Sequence, residues 1–280
     1  MELYYDAELR HDVGAHIALA DLYAIGYKVP MSGPISLEWF KKAARGGDAR
    51  AQYHLGHAYY YGRNTPRSDP DAWLWYREAS LQGHSGAQAS FGLMYSIGRW
   101  VEQDVTQAAH WYRQSAAQGD SVGLNNLGWL HDLGKGVEQN DDLALSLYIR
   151  SAHKGYFEAQ FCLGVMYELG IMVDRNRSMA ISWYRRSSRN RHKDAELHLQ
   201  ELQLQDQVAL LVDHQIVEWY RQEAERGVAG AQFCMGMIYE KGLLGVPKDL
   251  RQAVEWYSKA AAQSHSNADA RHQFHSARLS

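Results

Sequence analysis

Apolar positions along the chain recur in two helical registers. Between residues 83 and 118, Ala87, Phe91, Met94, Tyr95 and Gly98 fall at i, i+4, i+7, i+8 and i+11, one stripe of an α-helix. After a short polar loop containing glycine, Ala108, Trp111, Tyr112, Ser115 and Ala116 form a second stripe. Two amphipathic helices of about 12 residues cannot bury their stripes alone, so neighbouring copies must stack to complete a core. The chain supplies those copies. It divides at positions 11, 47, 83, 119, 155, 191 and 227, each 36 residues after the last, and 47–82, 83–118 and 155–190 align without gaps. The expectation is an all-α solenoid of about seven 36-residue helix-hairpin repeats, one domain over 1–280. A partial helix at 265–280 should close it as a polar cap, since Arg271, His272, Gln273 and His275 make a poor apolar face for a further unit.

Recurring glycines locate the helix ends. Gly62, Gly98, Gly134, Gly170 and Gly242 follow the first helix of their units, where a left-handed residue ends a helix. Gly56, Gly92, Gly128, Gly164 and Gly236 lie inside that helix, where glycine costs about 1 kcal/mol relative to alanine. Close approach of a neighbouring helix is the expected compensation. Asp104 and Asp249 are placed to cap second helices. Trp39, Trp75, Trp111, Trp183, Trp219 and Trp256 share one second-helix position, each followed by Tyr or Phe, and that constant phase indicates packing between repeats. The unit 191–226 is degenerate, with Gln200 and Asp206 where glycines are expected, and its first helix is expected to run on through 202–213.

The pattern Ala-x-x-x-Leu-Gly-x-x-Tyr, then Gly, then Ala-x-x-Trp-Tyr-x-x-Ala-Ala resembles the SEL-one-like repeat (SLR) family, relatives of the tetratricopeptide repeats. The resemblance covers nearly the whole chain. It implies a right-handed α/α superhelix with first helices lining a concave face, used to hold protein partners as an adaptor, scaffold or, in some bacterial members, an immunity protein that neutralises a secreted toxin. Many secreted members staple each hairpin with a cysteine pair, which this chain lacks.

Composition narrows the chemistry. Net charge is −3, from 29 Lys+Arg against 32 Asp+Glu, so no basic excess exists to neutralise a nucleic acid. No apolar run approaches the length of a membrane helix, and the N-terminal residues do not read as a signal peptide. A cytoplasmic protein is expected, or a periplasmic one if a leader has been removed. Cys162 and Cys234 occupy equivalent positions two units apart, about 20 Å by stacking distance, and read as packed thiols. His54/His57 and His272/His275 are spaced i, i+3 without further ligands, so no metal site is expected. Neither a phosphate-binding loop nor a nucleophile motif occurs. Glu168 and Glu240 recur at one phase but lie too far apart to share a reaction, so no enzyme and no cofactor are expected.

Binding is expected on the face of the first helices opposite the repeating stripe, concave by the family resemblance. Those phases hold Tyr53, His57, Tyr60 and Tyr61, then Leu93, then Asn125, Trp129 and Asp132. In later units they hold Phe161, Val165 and Glu168, then Phe233, Met237 and Glu240. An aromatic and apolar surface with a few carboxylates points to a protein or peptide partner. The alternative is a peptidoglycan- or carbohydrate-binding module whose rings stack on sugars.

Overall fold

A computed structural model describes residues 12–190, 192–205, 213–263 and 266–279. Every regular element among the described residues is helical. First helices of successive repeats are α1 (Val13–Ile25), α3 (Ala49–Tyr61), α5 (Ser85–Ile97), α7 (Ser121–Leu133), α9 (Phe157–Leu169), α11 (Lys193–Gln205) and α13 (Ala229–Lys241). Second helices are α2 (Gly33–Arg45), α4 (Asp69–Leu81), α6 (Val105–Ala117), α8 (Asp141–His153), α10 (Arg177–Ser188), α12 (Asp213–Glu225) and α14 (Leu250–Ala261). The terminal helix is α15 (Ser266–Leu279). The chain forms two compact units, residues 1–144 and 145–280.

Within each hairpin the sequence signals act as expected. Gly62, Gly98, Gly134, Gly170 and Gly242 take φ between +62° and +74° and end their first helices. Asp104 and Asp249 accept backbone hydrogen bonds at the starts of α6 and α14. A Cβ added at Gly56, Gly92, Gly164 or Gly236 would lie 2.3–2.9 Å from ring carbons of Tyr76, Tyr112, Tyr184 or Tyr257. The intrahelical glycine therefore lets the second-helix tyrosine lie flat on the first helix, and burial of that ring offsets the helix cost. These tyrosines are the deepest large side chains, whereas Trp75, Trp111 and Trp219 beside them are only half-buried.

Joints between repeats carry a polar element that hydrophobic spacing alone does not reveal. Gln52, Gln88, Gln160 and Gln232 are buried, and each amide donates back to a carbonyl in the last turn of the preceding second helix, at 3.2, 3.3, 3.0 and 3.0 Å. Their own side-chain oxygens accept from Gln82, Gln118, Asn190 and Gln263. Helix ends leave carbonyls without intrahelical donors, and this ladder satisfies them where water is absent.

Both cysteines are buried free thiols. The degenerate unit keeps the 36-residue register, α11 and α12 starting 36 residues after α9 and α10. Its expected helix extension falls on 206–212, outside the described residues. The terminal helix forms, but its polar residues do not all face water. Arg271 and His275 are buried against Glu240 of α13, with Arg271 Nη1 2.8 Å and 2.9 Å from the two carboxylate oxygens and His275 Nε2 3.2 Å away. The cap therefore docks through an interior ion pair, which adds two direct hydrogen bonds from Arg271 to the longer 3.8 Å contact that Glu240 makes with Lys241 of its own helix.

Candidate functional site

The fourteen first-helix positions expected to line a binding face divide sharply. In the 1–144 unit, Tyr53, His57 and Tyr60 of α3 are half-buried, Tyr61 is 55% exposed and Leu93 of α5 is half-buried. These remain accessible. Asn125, Trp129 and Asp132 of α7 are buried, and Trp129, expected at the centre of an open surface, is only 6% exposed. In the 145–280 unit Phe161, Val165, Phe233, Met237 and Glu240 are buried, and Glu168 is nearly so. The open aromatic face expected there does not exist. First helices in a stack are flanked by their own second helix and by adjacent first helices, as α5 meets α7 and α11 meets α13, so more than one stripe is enclosed. FEAQFCLGVMYEL of α9 and AGAQFCMGMIYEK of α13 are apolar nearly all round, which marks an enclosed helix.

Glu168 and Glu240 are structural carboxylates. Tyr184 Oη donates to Glu168 at 2.7 Å and Tyr257 Oη to Glu240 at 2.6 Å. Burial pushes the pKa of Glu168 up, but His198 and the Tyr184 hydroxyl outweigh it and hold the group below its usual range. At Glu240 burial is outweighed by Arg271 and His275, again holding the carboxyl down.

The accessible site is a ring cluster on α3. Tyr53 stacks on His84 at 4.7 Å, His57 lies 4.5 Å from Tyr61, and Tyr61 meets Tyr60 edge-on at 4.8 Å. Two cations come from the turns. Arg63 lies 5.2 Å from the Tyr61 centroid, and Arg99 sits 3.8 Å over Tyr60 while donating to Asp69 at 2.8 Å and to the Tyr60 carbonyl at 3.2 Å. Burial, then Arg63 and His54, lower the pKa of His57 to about 4, so it is neutral at neutral pH. The cluster is thus an uncharged aromatic surface edged by guanidinium groups.

Immediately after Arg99 stands Trp100, which the helical stripes do not single out. It adopts φ +67° and is 62% exposed. In the next repeat the same turn position is Gly136 at φ +66°, and both are followed by Val-Glu-Gln. Left-handed backbone costs an ordinary L-residue about 1–2 kcal/mol. Lys28, Asn64, Met172 and Leu244 hold the same turn position in their repeats at φ +54° to +59°, so the left-handed turn is common to the repeats, and Trp100 differs from them in presenting a large exposed indole there.

Among the described residues, no three His, Cys, Asp or Glu side chains gather to hold a metal, and no helix is long and apolar enough to cross a membrane.

Comparisons with known proteins agree with this architecture. The chain resembles a protective antigen of uropathogenic Escherichia coli strains displaying an SLR fold, at TM-score 0.60 and 31% identity over 99% of this chain and 59% of that one. It thus spans well under two thirds of that protein. A Sel1 repeat protein from Oxalobacter formigenes matches at TM-score 0.59 and 26% identity over 93% of both chains. Chitin synthase regulatory factor 3 of Schizosaccharomyces pombe is 42% identical over 52 residues, 19% of this chain and 6% of that protein. The Sel1 repeat model matches 13–48, 49–84, 85–120, 121–156, 157–192 and 229–265, passing over the degenerate unit, and the chain therefore belongs to the Sel1 repeat family.

Proposed function

We propose that this chain is a non-catalytic scaffold that holds a protein partner through the α3 ring cluster and the Arg99–Trp100 turn. Trp100 carries the reading: at a left-handed turn position that other repeats fill with Lys28, Asn64, Gly136, Met172 or Leu244, it presents a 62% exposed indole next to Arg99, which lies over Tyr60, and large exposed apolar groups mark partner sites. Tryptophan, tyrosine and arginine are also the side chains most often found as anchors of protein interfaces. Sequestration of a secreted effector would be the finer form of this reading and would use the same surface. The sugar-binding alternative draws less support, because Arg99 covers the face of Tyr60 and His84 that of Tyr53, leaving few flat ring faces for a sugar. The test installs a photo-reactive residue at position 61 and a control at exposed Leu81 of α4. A protein cross-linked from position 61 but not from 81, and no longer captured when Trp100→Gly is added, is the expected result. Capture insensitive to Trp100→Gly, or equal from both positions, overturns the reading.

A further inference from the structure

The 145–280 unit carries a strongly charged surface that the α3 site does not use. Between Asp174 and Asp194 lie seven Lys and Arg and no carboxylate, in a chain whose net charge is −3. Three of these, Arg177, Arg185 and Arg186, lie on α10, and Arg189 follows at its C-terminal end. Ala180, Trp183, Tyr184 and Ser187 of that helix are buried, and Ser178, Ile181, Ser182, Arg185 and Arg189 fall on the opposite side. Among the described residues, an open depression is lined by Arg177, Ser178, Ile181, Ser182 and Arg185, positions at i, i+1, i+4, i+5 and i+8 of one stripe.

Arg185, Arg186 and Arg189 are exposed and have no carboxylate partner among the described residues; Arg186 instead lies 4.6 Å over Trp183. The next second helix behaves differently. On α12 and just beyond it, Arg221 pairs with Glu218 and Arg226 with Glu223. A surface of like charges repels itself, and α10 leaves its own charges uncompensated where α12 neutralises them. Arginine, moreover, binds a carboxylate with two parallel hydrogen bonds, a geometry lysine lacks.

We propose that α10 is the docking surface for an acidic helical segment of a partner protein, whose carboxylates meet Arg185 and Arg189 and whose apolar side chain seats on Ile181. The inference rests on the protein-binding reading but uses a separate surface. From Arg177 to Arg189 the stripe spans about 18 Å at 1.5 Å per residue, the length of a short helix bearing a carboxylate on each turn. Charge complementarity selects an acidic occupant. A nucleic acid fits less well, because a polyanion extending past α10 would meet exposed Glu218, Glu225 and Glu255 on the following second helices, and Ile181 offers nothing to a phosphate backbone.

The test is fluorescence anisotropy with a labelled helical peptide of about 16 residues, near 24 Å long, carrying Glu at every fourth position beside leucines. The comparison probes are the same composition scrambled, the Lys-for-Glu version, single-stranded and duplex DNA, and phosphatidylserine vesicles. The patterned acidic peptide is expected to bind the full chain most tightly, to weaken with added salt, and to lose about tenfold or more in Arg185→Glu/Arg189→Glu. Arg185→Gln/Arg189→Gln should give a smaller loss with an unchanged helical circular dichroism spectrum, which separates lost contacts from lost folding. Trp100→Gly should leave this binding intact, so failure of the α3 site and failure of the α10 surface are distinguishable. Equal binding of scrambled and patterned peptides, tighter binding of DNA or vesicles, or no peptide binding would each overturn the proposal.

Discussion

The two compact units fill one first-helix position differently. In the 1–144 unit it holds Tyr60, half-buried under the Arg99 guanidinium, then buried Ser96 and buried Asp132. In the 145–280 unit the same phase holds Glu168 and Glu240, enclosed and bonded by the hydroxyls of Tyr184 and Tyr257. A carboxylate taken out of water needs a donor set, and its own hairpin supplies the tyrosine and, for Glu240, Lys241 at 3.8 Å. The rest comes from a later helix, His198 of α11 for Glu168 at 3.7 Å and Arg271 of α15 for Glu240. Aromatic contact thus couples repeats at Tyr60, and ionic contact couples them at Glu168 and Glu240. The first unit keeps accessible rings on α3, the surface proposed above for a partner, and the second has its proposed surface on the second helix α10.

Breaking the ionic joint should produce the largest effect. Glu240→Gln or Arg271→Met leaves a buried charge without its partner, and each is expected to cost about 3–5 kcal/mol in denaturant unfolding. The double variant Glu240→Leu/Arg271→Met should recover most of that loss. If the single variants cost no more than a surface change, the closed unit is not held by this pair.

Next in size are the glycines beneath the tyrosine rings. Gly164→Ala should cost about 1–3 kcal/mol through overpacking against Tyr184, where the new Cβ would sit 2.5 Å from the ring. Gly92→Ala, at 2.9 Å from Tyr112, should cost less, and equal melting temperatures for the two variants would count against ring contact as the cause.

Trp100→Gly should have the opposite sign, raising stability by about 1 kcal/mol as left-handed strain is relieved. A fall in melting temperature would show that the indole packs for stability rather than for binding.

The smallest effect is in pH. His57 has a lowered folded pKa, so the unfolded state binds more protons between about 6.5 and about 4, and stability drops as pH falls through that window. Glu168 and Glu240 have depressed folded pKa values, so their contribution is complete above the ordinary carboxylate range and is lost only below about 4.3. Acid unfolding followed by hydrogen exchange should therefore loosen α3 at a higher pH than α9 and α13, and His57→Gln should remove the earlier phase.

Much of this architecture is legible in the chain. Period 36 locates the hairpins, and the glycines mark helix ends and ring contacts because those positions admit no Cβ or demand positive φ. One further signal recurs with the same period yet is not an amphipathic stripe, the Ala-Gln pairs that satisfy helix-end carbonyls, and the Trp at turn position 100 departs from the Lys28, Asn64, Gly136, Met172 and Leu244 of other repeats. The accessible site was legible only on α3, since a single-helix projection assumes that the side opposite one apolar stripe meets solvent.

Local chemistry in the sequence is enough to determine the helices, their caps and the repeat, because each depends on residues within one hairpin. Exposure depends on what stacks against each face, and that is a property of the assembled array. Only the tertiary structure decided that Trp129, Phe161 and Phe233 are interior, that Glu240 is met by Arg271 31 residues later, and that Arg185 and Arg189 stand without carboxylates among the described residues. Burial of a charge, or its freedom to bind, is set by neighbours distant in sequence, and no periodicity within a single helix encodes them.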